Sequence, residues 1–383
     1  MYHSPRAKAR DNPEFVLHWE DLRHFKKLID NADRQYQLKV YKNQGTSRFD
    51  STLIQTVNIL SSNQRVIPVS QNKPFTGIKI ALDPGHIAGD FHMATAEDRF
   101  IEMYGIRKEP IRFFEGELTL TTAKVLQDSL EALGAEVMLT RDRGNYSAMG
   151  MSFDEWLQTE LVDTLLREGY ELSDIDRRVS GSSHRTLYRR YFLDQDLDAR
   201  AEKVNYFNPH FTIVIHFNAD VQNRGWYKPS PRNYSMIFVP GSYIAGELST
   251  PKERFDFLRT LLTDHMQESA LLSRFVMDEF ETTLGVPSVT DYPKKPFYLT
   301  HRSMEVDRGI YARNLRLCRL LNTPVCYGES LLQDNEKEII ALSKNDLDNG
   351  VVAPRLVTVA QAYLNGIKRY VELLKERQKE KPD

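Results

Sequence analysis

A chain of 383 residues is long enough for one large domain with additions or for two domains. Apolar residues make up 41% and charged residues 27%, and a net charge of −2 gives no grounds for a nucleic-acid or anionic-membrane partner. No apolar stretch approaches the roughly 20 residues that span a bilayer, and the two cysteines, Cys318 and Cys326, are too few for a disulfide scaffold and not spaced as a metal or redox pair.

The first residues, MYHSPRAKARDNPEFVLHWEDL, lack the apolar core of an export signal. Residues 14–31 carry apolar positions at helical spacing, and the short apolar runs YQLKVY, TLIQTVNIL and RVIPVS follow. Residues 1–75 therefore read as a small accessory region, closed off by QNKPFTG. From Ile78 the rhythm changes. IKIALD reads as a buried strand, GELTLTTAKVLQDSLEALGA as an amphipathic helix, EVMLT as a second strand and HFTIVIHFNA as a third. YSMIFVP and TPVCYGE read as further strands, with helices across about 252–284 and over 353–378.

Strands alternating with helices predict an α/β fold for residues 76–383, a mixed, mostly parallel sheet with helices on both faces. Residues 143–198, charged and helically patterned, are too long for a crossover and read as a helical insertion.

Functional groups in such sheets collect beyond the carboxyl ends of strands. His86 follows the first strand on an Asp-Pro-Gly-His turn, Glu115 stands at the entry to the first core helix, His216 lies in HFNA, and Glu329 ends the strand TPVCYGE. Two imidazoles and one carboxylate with a fourth position left to water are what a catalytic zinc requires, and a further carboxylate can move the water's proton. The alternatives differ residue by residue. Alone, His86 reads as a turn residue, Glu115 as a carboxylate favoured at a helix start, with Glu117 as its competitor, and His216 as a hydrogen-bonded core histidine. The ordered set favours a site. His92 and His301 read as surface histidines.

The chain resembles the zinc-dependent N-acetylmuramoyl-L-alanine amidases, which cut the stem peptide from the glycan of peptidoglycan. The family's DPGH turn is matched by Asp83, Pro84, Gly85 and His86, its helix-entry glutamate by Glu115 in EGELTL, and its SIHANA strand by VIHFNA with His216 and Asn218. An upstream arginine and asparagine are matched by Arg200 and Asn205, and a last-strand glutamate with an asparagine six residues on by Glu329 and Asn335. The family usually has glycines after the first histidine and Gly-Phe after the final glutamate, whereas Ile87, Ala88 and Gly89, and SLLQDN, stand here.

The resemblance implies one zinc ion per chain held by His86, Glu115 and His216, with Glu329 as general acid and base, and Asp83 and Asn218 orienting the ligands. It implies peptidoglycan or muropeptides as substrate and a periplasmic or cell-envelope location, reached through an export signal that the chain as given lacks. It names no protein activator. Two rivals stand beside it: a zinc amidohydrolase or peptidase of another amide, and a peptidoglycan-binding module without catalysis. The insertion at 143–198 is also a candidate cover for the zinc site.

Overall fold

The computed structural model describes residues 73–379 apart from 105, 107–108, 222, 224–227, 251–252, 254–255, 258, 261–262 and 347–348, together with Ile67 and the backbone of five strands before residue 59. Those strands are β1 (Tyr2–His3), β2 (Phe15–His18), β3 (Tyr36–Val40), β4 (Gln44–Phe49) and β5 (Thr52–Asn58), paired antiparallel in that order. The helix expected over 14–31 thus opens as a strand. FVLH is short enough to suit either form, and its ladder with β3 decides. The rest of that expected helix lies outside the described residues, as does RVIPVS apart from the buried Ile67.

The main sheet has seven strands: β6 (Lys79–Pro84), β9 (Glu136–Leu139), β10 (Phe211–Asn218), β11 (Met236–Val239), β12 (Met304–Asp307), β13 (Ile310–Ala312) and β14 (Val325–Leu332). Their spatial order is β12-β13-β11-β14-β10-β6-β9. The four strands from β14 to β9 are parallel, β11 runs antiparallel to β14, and β12 closes the far edge antiparallel to β13. This is the mixed, mostly parallel sheet the sequence predicts. Between β6 and β9 the chain forms α1 (Phe91–Glu97), a hairpin of β7 (Phe100–Met103) with β8 (Ile111–Phe114), and α2 (Glu115–Ala132).

Pleating divides each central strand between two cores. Ile80 and Leu82 of β6 and Ile213 and Ile215 of β10 join the larger core, under α2 and the helices His265–Thr282 and Pro354–Lys379. Ala81, Val214 and Val325 face the other way, onto α7 (Leu193–Phe207) and the helix Arg316–Leu320. Asp83, His216, Tyr327 and Glu329 continue that second set by steps of two, so one face carries them toward the carboxyl edge. Glu329 does not end its strand as expected. β14 runs on to Leu332 because a register shift between His216 and Asn218 lets β10 keep pairing with it. The helix expected over 252–284 is continuous over His265–Thr282, and part of its expected start lies outside the described residues.

The insertion is helical, as expected: α3 (Phe153–Thr159), α4 (Leu161–Arg167), α5 (Leu172–Ser180), α6 (His184–Leu187) and a π-type turn, Tyr188–Phe192, that feeds α7. Its Phe153, Trp156, Tyr188 and Phe192 pack against Ile87, Ala88, Met93 and Ala94, a core separate from those of the sheet. Among the described residues no helix is long and apolar enough to cross a membrane.

Candidate active site

β6 ends in Pro84, and His86 then sits at φ +58°, a left-handed conformation costly for a residue with a side chain. The turn is held there by a full set of partners. Arg141 Nε and Arg200 Nη1 both donate to the Pro84 carbonyl, Arg141 Nη2 and Thr119 Oγ1 to that of Gly85, and Arg200 Nη2 to that of His86. The next two N–H groups, of Ile87 and Ala88, donate to the carboxylate of Glu97 at 2.9 and 3.0 Å. Gly85 is required for space, since a Cβ there would lie 2.2 Å from the His216 ring. Gly116 has a similar reason, with Ala88 backbone atoms 2.6 Å from its absent Cβ.

On this frame three side chains converge. Glu115, first residue of α2 and 3% exposed, lies with Oε1 3.0 Å from His216 Nδ1 and Oε2 3.3 Å from His86 Nε2. One ligating atom from each of the three falls within 4.8 Å of the others. Phe217 N–H and Gln333 Nε2 also donate to Glu115, fixing both its oxygens. Burial pushes the Glu115 carboxyl up, but the two imidazoles outweigh it and bring it down to about 2. Burial works against protonation of His216, and its hydrogen bond to Glu115 together with the charges of Glu329 and Glu115 raises it nonetheless. Glu117, the competitor, instead accepts a hydrogen bond from Asn345 Nδ2.

The outer nitrogen of His216, Nε2, is 2.8 Å from the Tyr327 hydroxyl, and the two rings stack at 4.7 Å. This contact settles the ring's orientation and leaves Nδ1 toward Glu115. Glu329 is directly opposite His216 in the β10–β14 ladder. Burial and the nearby Glu115 push its carboxyl up to about 7 despite the opposing pull of His216.

Several expected groups do other work. Asp83 touches none of the three convergent residues. It accepts from Arg200 Nη1 at 3.1 Å and from Thr140, so it acts on His86 only through the arginine that grips the turn. Asn218 lines the cavity and donates to Tyr298 Oη rather than to a ligand. Asn205 ties α7 to the Leu320–Asn322 loop, and Asn335 caps the helix Glu336–Leu342. His301 stacks on Phe297 at the surface, and His92 is exposed beside Asp154.

Sequence reading missed Glu97, Gln333, Tyr327 and Arg141. Glu97 lies 3.6 Å from His86 Nδ1 and also accepts from Tyr188 Oη at 2.7 Å. Burial would raise its carboxyl, but His86, Tyr188 and the Ala88 N–H hold it at about 2. Tyr327 had a signal, since it shares a strand face with Glu329 two residues on.

A cavity of about 440 Å³ opens over these groups, walled by Arg99, Tyr298 and Glu329 on one part and by Tyr188, Leu193 and Leu197 of the insertion on another. The His86 side chain keeps 19% of its surface exposed, so the insertion walls the site without sealing it. Two histidines and a carboxylate with converging donors, facing open space, fit a zinc ion with a free coordination position.

A family model described as N-acetylmuramoyl-L-alanine amidase matches residues 80–369. The chain belongs to that family. It is a peptidoglycan amidase, a hydrolase of the cell wall. The match contains the whole convergent site. Among solved structures, the chain is similar to the CwlD amidase of Clostridioides difficile in complex with the GerS lipoprotein, at 17% identity and a TM-score of 0.43, covering 78% of this chain and 100% of that one. It is likewise similar to the amidase AmiC2 of Nostoc punctiforme, at 15% identity and 0.41, covering 78% and 99%. A third is the amidase Ami1 of Mycobacterium smegmatis, at 15% and 0.42, covering 78% and 98%. No curated protein matches the chain.

Proposed function

We propose that this amidase cleaves the amide between the lactyl group of N-acetylmuramic acid and L-alanine, with one zinc ion held by His86, Glu115 and His216. Its place of action is the periplasm or cell envelope, where the substrate is. Residues 1–75 form an accessory region and residues 76–383 the catalytic unit, into whose core Ile67 and Phe75 are packed. The observation that carries the reading is the convergence of three ligating side chains beside the Glu329 carboxyl, directly opposite His216 in the strand ladder.

Bound there, zinc supplies Lewis acidity, acidifying water and polarising the amide carbonyl. The chain's own groups do the rest. Glu329, with a carboxyl near neutrality, takes the proton of the attacking water and returns it to the departing alanine nitrogen. Tyr327 holds the outer nitrogen of His216, and Glu97 stands behind His86, so both rings keep one orientation through the reaction. Gln333 and the Phe217 N–H hold Glu115 against rotation. Tyr298 and the insertion's Leu193 and Leu197 wall the cavity and limit the water around the scissile bond.

The test is dye release from labelled murein, with and without chelator, beside zinc content of wild type and His86→Ala. The reading expects chelator-sensitive release and a zinc ion lost in the variant. Murein binding without dye release by zinc-loaded protein would overturn it in favour of a binding module, and release from an unrelated amide substrate alone would favour the other hydrolase.

A further inference from the structure

A second group of ligating side chains lies outside the active site, where the insertion meets the segment that follows the DPGH turn. His92 on α1, Asp154 in the first turn of α3 and His184 at the start of α6 each offer a donor atom within 4.8 Å of the other two. They come from three separate stretches of chain, so the convergence is tertiary and not a by-product of one helix's periodicity.

Each donor is braced by its surroundings. His92 Nε2 lies 3.4 Å from Asp154 Oδ1. The His184 ring meets that of His92 edge-on at 5.7 Å and that of the buried Phe153 edge-on at 6.0 Å. Ser183 caps α6 immediately before His184, and Ser152 caps α3 just before Phe153 and Asp154 through a reciprocal capping box with Glu155. The ion pair of Arg185 with Asp98 ties α6 to the end of α1 one residue further along, so the spacing of the elements is fixed independently of the histidines. Among the described residues no lysine or arginine pairs with Asp154; its one charge partner is His92. All three groups are exposed, which leaves room for water to complete a coordination shell and a path for the ion to enter.

We propose that His92, Asp154 and His184 form a second site for a divalent transition metal of the zinc type. The donor chemistry is two imidazoles and one carboxylate, which suits zinc, nickel or copper and not magnesium or calcium. The ion fastens the insertion to α1. That helix ends in Glu97, whose carboxylate holds the Ile87 and Ala88 N–H groups and backs His86. The second site therefore steadies the wall of the active-site cavity and the turn that carries a catalytic ligand, while touching neither substrate nor the first zinc.

The experiment is zinc stoichiometry of untagged full-length protein, equilibrated by dialysis against micromolar zinc and read by elemental mass spectrometry. Five chains are compared: wild type, His86→Ala, His92→Ala/His184→Ala, and His86→Ala combined with either Asp154→Asn or His92→Ala/His184→Ala. Thermal melting is recorded with zinc added to each. The expected result is two zinc ions in wild type, one in His86→Ala and one in the double variant. Melting of His86→Ala should still rise on adding zinc, and that rise should weaken in His86→Ala/Asp154→Asn and vanish when His92→Ala/His184→Ala is added to His86→Ala. One zinc in wild type and none in His86→Ala overturns the second site and leaves the catalytic one intact. One zinc that survives His86→Ala but is lost from the double variant does the reverse, sustaining this site while refuting the zinc ligands proposed for catalysis. His92 and His184 are exposed, with the His184 ring resting edge-on against Phe153, and the melting curve of the metal-free variant shows whether their removal leaves the packed core unchanged.

Discussion

Replacing Glu97 by glutamine tests how the turn and the proposed metal ligand are held. Glu97 accepts three hydrogen bonds, from Ile87 N–H, Ala88 N–H and Tyr188 Oη, and lies 3.6 Å from His86 Nδ1. Glutamine keeps the shape and one acceptor oxygen, but its NH2 group must face at least one of those donors. Losing one hydrogen bond to a charged acceptor costs about 1.5–3 kcal/mol, and stranding a buried donor about 1–3 kcal/mol. The carboxyl's depression from 4.5 to about 2 reflects these same contacts together with His86, and at about 1.4 kcal/mol for each tenfold in acidity it corresponds to about 3 kcal/mol. The expected loss is about 3 kcal/mol at neutral pH.

The sign with pH follows from the lowered value. A carboxyl more acidic in the folded state stabilises above its unfolded pKa and loses that contribution as pH falls through the folded one. The gap between wild type and Glu97→Gln should therefore be full at pH 7, begin to close below about 4.5, and shrink to about half by pH 3. Urea denaturation of the metal-free proteins across this range reads it directly. Zinc affinity, measured by competition with a chelating dye, should fall about 10–100-fold, because the support behind a ligating imidazole is weakened. A Glu97→Gln protein within 0.5 kcal/mol of wild type at pH 7, binding zinc as tightly, would refute the reasoning.

Three further outcomes are expected. Glu329→Gln should lower kcat by about 10²–10⁴ while zinc content and melting temperature hold, as befits a proton-transfer group outside the ligand set. Gly85→Ala should lose zinc and stability together, because its Cβ would lie 2.2 Å from the His216 ring and the ring must move; retention of a full zinc complement by elemental analysis would contradict this. Asn335→Ala should cost about 2–3 kcal/mol in urea denaturation, through the lost helix cap and the lost hydrogen bonds from its amide to the Ser230 and Arg232 carbonyls, and leave kcat unchanged, separating its structural place from a catalytic one.

The sequence made the sheet legible because β6, β10 and β14 are buried apolar runs bounded by turn residues, and it made His86, Glu115, His216 and Glu329 legible as chemistry at their ends. What it hid is what approaches these groups from elsewhere in the chain. Glu97 ends a short helix with no charge pattern to mark it, and its partners Ile87, Ala88 and Tyr188 are fixed only once α1 folds back under the insertion. Gln333 stands in SLLQDN, where the chain departs from the family pattern, yet its amide grips both Glu115 and the Phe217 carbonyl. The asparagine six residues after Glu329 matched a motif and proved to be a helix cap, because spacing along a chain does not say which way a side chain turns once the strand has ended. The choice of Glu115 over Glu117 had the same form: adjacent helix faces diverge, and only packing shows which one meets β10.

Charge around the turn gives the site its demand for a cation. Asp83, Glu97, Glu115 and Asp196 are all buried within this network, and the buried counter-charges that grip it are Arg141 and Arg200. Arg200 is held firmly protonated by Asp196 and Asp83 against the cost of burial, whereas burial and the neighbouring Arg200 bring Arg141 down to about 9. Glu329 adds a fifth acid and Arg99 a third guanidinium at the same cavity, so acids outnumber guanidiniums there, and a buried uncompensated charge is costly. Without a metal the compensation falls to the imidazoles, which is why His216 is raised although burial opposes it. A divalent ion at the proposed site between His86, Glu115 and His216 would supply positive charge without protonating the rings, and the rings can ligate only in that neutral form. The paired arginines, which fix the turn's carbonyls, are thus too few to neutralise its acids, and the remaining negative charge suits a cation at the proposed site.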